Sequence, residues 1–266
     1  MNEDHVPGRN RLWLYALGAL VIGFLVIPVL IVIPISFSNS TLLEFPPRDY
    51  SLRWYRALLG SIEWRDAAWM SVKIAVLTTL LATPMGTAAA YGLHLGGFRF
   101  TGVLRMLVLA PLLVPVILTA IGIFYLYALL GLNNTIVGLM LAHSMLALPF
   151  VVVSVGAGLR SYDIAQERVA RSLGATWFGA FRRITLPQIR LPVLSGALLA
   201  FISSFDEVIV SFFISGGEYS TLPRRMFNAL RDQIEPTIAA ISTILIVLSV
   251  GTVAVLEMTR RPVRRE

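Results

Sequence analysis

The sequence contains no cysteine, one lysine and three histidines, and only 14% of its 266 residues are charged. Without thiols it can form neither a disulfide framework nor a thiolate metal centre. The lone lysine, Lys73, lies in Met70-Ser71-Val72-Lys73-Ile74 with no glycine-rich loop before it. The chain therefore lacks the G-x-x-x-x-G-K-S/T cradle of a phosphate-binding loop and does not bind ATP in that way itself. His5, His94 and His143 are too dispersed to read as a metal site or a triad, so no metal, cofactor or covalent chemistry is expected. Soluble domains carry about 25% charged residues, and a chain with little more than half that share cannot cover a water-facing surface. A secreted domain, a nucleic-acid-binding module and a disordered chain are thereby excluded.

What the sequence has instead is apolar length. Hydrophobic residues make up 56% of it, and the mean hydropathy is +0.76. A hydrocarbon core of ~30 Å takes roughly 20 helical residues to cross. Six segments qualify, near Leu12–Ile35, Ala67–Leu93, Leu104–Leu130, Ile136–Leu159, Leu191–Ser215 and Ile238–Glu257. Their apolar runs are continuous and do not alternate, which predicts helices and not barrel strands. Arg9 and Arg11 precede the first run, but it is too long for a signal-peptide core, and Ser36-Phe37-Ser38-Asn39 after it offers no cleavage pattern. It reads as a retained span. The expected organisation is an all-α integral membrane protein. Residues 1–66 hold a tail, the first span and a loop; 67–257 form the membrane core; 258–266 form a basic tail.

The net charge of +7 is carried by short loops, where arginine reports topology. With the N-terminus inside, inner pieces carry fourteen Arg or Lys and outer loops seven, which places both termini in the cytoplasm. Trp54, Tyr55, Trp64 and Trp69 cluster in and after the first outer loop; they read either as an interfacial belt or as a docking surface for a soluble partner. In the last outer loop, Thr221 is placed to cap a short helix begun by Pro223, with Arg224 and Arg225 either solvated or facing a partner's acids.

About thirty residues separate the fourth and fifth spans, far more than a helix connection needs. They carry their own punctuation. Asp163 with Gln166 resembles a capping box, and Gly174 suits the left-handed residue that ends a helix. Thr176 can cap a second helix, and Pro187 is placed to stop it. Val169, Leu173, Trp177 and Phe181 recur every fourth residue among arginines. Two short helices meeting at Gly174 would present an apolar, basic knob, suited either to anionic lipid or to a partner protein.

Gly174, Ile184, Leu186 and Pro187 resemble the G-x9-I-x-L-P signature of ABC-importer permeases, whose full form begins E-A-A-x3-G. Tyr50–Leu58, Ser203–Phe213 and Glu235–Thr243 resemble the spermidine/putrescine branch, the second of its two permeases. The resemblance implies a type I importer permease of the bacterial inner membrane. It implies a cytoplasmic coupling helix that docks on a separate ABC ATPase dimer. A second, homologous permease and an extracytoplasmic solute-binding protein complete the expected partners. The ATPase-coupling residues would be Asp163, Glu167, Arg168, Ala170, Leu173, Gly174, Ile184, Leu186 and Pro187. The chain departs from the signature where Arg168-Val169-Ala170 replaces Glu-Ala-Ala, with Glu167 one position early.

Asp206 and Glu207 interrupt the fifth span, where each acid costs roughly 2.5–3.5 kcal/mol on insertion scales. On a continuous helix they would point about 100° apart. Counted from the outer span ends at 1.5 Å per residue, Lys73, His143 and Asp206 share a layer roughly 9–14 Å deep. Lys73 either neutralises an acid to fix packing, or the layer lines a translocation path. Asp206, Glu207, Lys73 and His143 are the path candidates. A self-contained ion-coupled transporter would leave the knob unexplained, and a membrane scaffold would leave the acids unexplained.

Overall fold

The computed structural model describes residues 12–97, 99–232 and 236–259. The basic tails and the residues between Asp232 and Pro236, including the Glu235 that begins one of the motif stretches, lie outside them. All elements are helical, and among the described residues the sole β-type pairing is a bridge between Ser38 and Tyr50.

One unit is built from α1 (Leu12–Ser36), α2 (Arg53–Gly60) and α13 (Thr237–Thr259). α1 packs on α13, which also meets α2. The outer loop is tied locally. Ser36 Oγ and Tyr55 Oη lie 2.7 Å apart, and the Trp54 indole donates to the Ser40 carbonyl at 3.2 Å. Trp54 is therefore buried and not part of an interfacial belt; of the four rings singled out, Trp69 is the exposed one.

The second unit spans residues 63–227. α3 (Ile62–Leu95) and α6 (Ile136–Arg160) are long, apolar and continuous, as expected. The third expected span is not one helix. It divides into α4 (Thr101–Leu113) and α5 (Val116–Leu130), set at 102° to each other. Pro115 is the reason: it forces Val114 out of the helical region and opens α5 as its capping residue. The fifth also divides, into α10 (Arg190–Phe205) and α11 (Ile209–Ile214).

Between apolar helices in lipid, close packing replaces the hydrophobic effect as the cohesive force, so small residues line the contacts. α6 lies at the centre, against α10. A Cβ on Gly158 would sit 2.3 Å from Pro192 Cγ of α10, and one on Gly86 of α3 would sit 2.6 Å from Val151 Cβ of α6. Ala82, Ala90, Ala147 and Ala200 fill the same inner cluster with Val151, Val155 and Leu159. We expect Gly86→Val and Gly158→Val to destabilise the permease core by about 1–3 kcal/mol or more through overpacking. A lowered melting midpoint in detergent-solubilised protein, against an unchanged midpoint for Gly122→Ala on an open face, checks this.

Candidate functional site: a helix break and a docking segment

α10 and α11 are separated by three non-helical residues, Asp206, Glu207 and Val208. No proline or glycine causes the break. The first amides of a new helix have no intrahelical acceptor, and Glu207 supplies one. Its Oε1 accepts from the Ile209 and Val210 amides and its Oε2 from the Ser211 amide, all at 3.1 Å. Glu207 thus carries out, with a full charge, the capping role usually filled by Ser, Thr or Asp.

His143 of α6 reaches across the same break. It is 1% exposed. Its Nδ1 lies 2.9 Å from Ser204 Oγ at the end of α10, and its Nε2 lies 3.0 Å from Ser211 Oγ in α11. One side chain therefore holds both halves of the broken helix, and Ser211 is shared between His143 and Glu207.

Asp206 and Glu207 are not consecutive positions of one helix, so the expected 100° divergence does not apply. Glu207 turns its carboxylate back onto α11. Asp206 ends α10, its amide bonded to the Ile202 carbonyl, and its exposed carboxylate makes no hydrogen bond among the described residues. Lys73 is also exposed, on α3, and no ion pair joins it to Asp206 among the described residues. The depth estimate brought His143 to the break correctly but did not bring Lys73 into contact with it.

In the last loop, Ser71 of α3 does the work expected of Thr221, accepting the Leu222 amide at 2.7 Å as α12 (Leu222–Asp232) begins. Arg225 is paired with Glu63 and lies over the Trp64 ring, while Arg224 bonds Ser215 and covers Phe212. Both arginines are engaged within the chain.

At the other end of α6 lies the segment of α7 (Ala165–Ser172) and α8 (Trp177–Ala180). Asp163 Oδ1 accepts the Ala165 amide at 2.9 Å, Gly174 adopts φ +91°, and Thr176 Oγ1 accepts the Gly179 amide at 3.1 Å. Gln166 does not complete a capping box; its side chain takes a bond from Gln188 Nε2 at 2.6 Å. Pro187 does not stop the second helix either. A π-helical turn over Phe181–Thr185 carries the chain into α9 (Leu186–Gln188), with Pro187 at the start of the new turn, where its missing amide costs little. Val169, Leu173, Trp177 and Phe178 are exposed, Leu173 at 84%, and exposed Arg168, Arg171, Arg182 and Arg183 surround them. Glu167 departs from expectation: it is 2% exposed and faces inward.

The profile of the family described as binding-protein-dependent transport system inner membrane component matches residues 82–264. The chain belongs to this family. The permease is 32% identical over 241 residues to the spermidine/putrescine transport system permease protein PotC of Escherichia coli K12, covering 91% of both chains. It is also 32% identical over 250 residues to the putrescine transport system permease protein PotI of the same organism, covering 91% of this chain and 89% of that one. The fold matches a bacterial ABC transporter that imports the acidic polysaccharide alginate, with a TM-score of 0.71 at 14% identity, over 96% of this permease and 99% of that chain. The permease is an inner-membrane transport subunit of the type I importer fold.

Removing the groups that hold the break should loosen the permease. His143→Ala leaves two buried serine hydroxyls without their shared partner, at about 1–3 kcal/mol. Glu207→Ala frees three amides at comparable cost. The double variant should lose less than the sum, because both singles release Ser211. Melting midpoints of the four proteins measure this coupling.

Proposed function

We propose that this permease carries polyamines across the inner membrane, driven by ATP that a separate cytoplasmic ATPase dimer hydrolyses. An extracytoplasmic binding protein delivers the solute, and a second, homologous permease completes the channel. The observation that carries the reading is the near full-length similarity to two polyamine permeases. The excess of arginine in the inner pieces supports an orientation with both termini and the α7–α9 segment in the cytoplasm.

The exposed apolar group Val169, Leu173, Trp177 and Phe178, ringed by arginines, has the make-up of a protein-docking centre with a polar rim. Gly174 sets the angle between the two helices that present it, and Ala170, Ile184 and Leu186 support it from partly buried positions. Asp206 is the best placed of the four path candidates. Its free carboxylate sits at the carbonyl end of α10, where the helix dipole also favours a cation. An ammonium group passing there would meet a charge, free carbonyls and the neighbouring Phe205 ring. Glu207 and His143 serve the path by holding the break open, and Lys73 stands apart on α3.

Mechanistically, ATP-driven closure of the ATPase dimer pushes on α7 and α8. The break between α10 and α11 then presents Asp206 alternately to the binding protein and to the cytoplasm. No step makes or breaks a covalent bond in this subunit.

Leu173→Glu should reduce co-purification of the ATPase by about tenfold or more, since a charge at a desolvated centre costs at least ~1.4 kcal/mol. Asp206→Asn should retain the ATPase while ATP-dependent putrescine uptake into proteoliposomes falls by about tenfold. An ATPase retained by the first variant, or uptake unaltered in the second, contradicts the reading.

A further inference from the structure

Glu167 is the one residue of the docking segment that docking does not use. Its carboxylate receives the Tyr91 hydroxyl, shared between its two oxygens at 2.6 and 2.7 Å, and the Thr185 hydroxyl at 2.7 Å. Thr185 has a single hydroxyl proton, and it goes to Glu167. The Tyr162 hydroxyl, 2.9 Å from Thr185 Oγ1, must therefore be the donor in that pair. Three hydroxyl protons are thus directed along the network towards one buried acid, the arrangement that stabilises a carboxylate. Among the described residues no ion pair neutralises it.

The four residues come from four pieces of chain. Tyr91 lies in the last turns of α3, Tyr162 just beyond α6, Glu167 in α7, and Thr185 at the end of the π turn that leads to α10. The Tyr91 ring is also packed against Phe181 and Trp177, with centroids 4.8 and 5.8 Å apart. An apolar side chain at position 167 would fill the space but allow sliding. A buried carboxylate does not, because displacing its donors strands a charge away from water.

We propose that Glu167 and Tyr91 lock the docking segment to the end of α3, so that α7, α3 and the end of α6 move as one body. Given the docking reading, a push on the knob is then delivered to the length of α3 without loss and is relieved at the break after α10. Glu167 and Tyr91 are positioning residues: neither touches solute or nucleotide.

Because the chain has no cysteine, a spin-label pair can be introduced at His94→Cys on α3 and Ala165→Cys on α7, both exposed. Pulsed dipolar spectroscopy on the assembled transporter, nucleotide-free and ATP-trapped, reads the separation. In the otherwise native chain we expect one narrow distance, identical in both states. With Tyr91→Phe or Glu167→Gln the distribution broadens and shifts on trapping, while the ATPase still co-purifies. Thr185→Val, nearly isosteric, reports on the same network should either variant fail to fold. A native distance that changes with nucleotide, or variants whose distance stays narrow and fixed, overturns the lock. Failure of the docking reading looks different: no ATPase accompanies the native chain. Narrow native and broadened variant distances in the permease alone would then still support the lock.

Discussion

Backbone amides inside a bilayer have no water to turn to, and the break between Phe205 and Ile209 releases several of them at once. The permease answers with its own side chains. Glu207 takes three amides of α11, and His143 spans the gap by bonding a serine on each side. Irregular backbone is tolerated at membrane depth where it is buried in protein or lines a cavity. The functional geometry follows from that constraint: because Glu207 is spent on capping, Asp206 is left as the free acid at the carbonyl end of α10. Two adjacent carboxylates thereby acquire different work, one holding the path and the other facing it.

The opposite end of the core has a different task, receiving force. A knob of exposed apolar side chains can bind a partner, but it transmits movement only if it is stiffly joined to the membrane helices. Gly174 and Thr176 shape the knob, the π turn leads it into α10, and the Tyr91–Glu167–Thr185–Tyr162 network fastens it to α3 and α6. Between the two ends, the small-residue contacts of α3, α6 and α10 leave little slack. Stiffness at the knob and through the packed helices directs motion towards the break.

Much of this was legible from residue pattern. The continuous apolar runs located every long helix, and Gly174 and Thr176 marked the corner of the docking segment with the right residues for the right reasons. The exposed row containing Leu173 was readable from spacing. Pro115 also carried its signal, but the apolar composition runs through it and masks the 102° turn. Other features were hidden in principle. Nothing local announces the break at Asp206, since its stability comes from His143, sixty residues away in sequence. Pro187 reads as a helix stop, and only a π turn, invisible to periodicity, lets the chain continue. Glu167 reads as a surface charge until Tyr91 and Thr185 are placed beside it by tertiary packing.

The central claim is that the segment between α10 and α11 changes sides as the transporter turns over. A single cysteine at Val208, within the break, tests it most directly in proteoliposomes containing the complete transporter. Its reaction with a membrane-impermeant thiol reagent would be measured from each face, with and without trapped ATP. The account predicts that the reactive face switches between the two states. Reaction from the same face in both, or from neither, would contradict it.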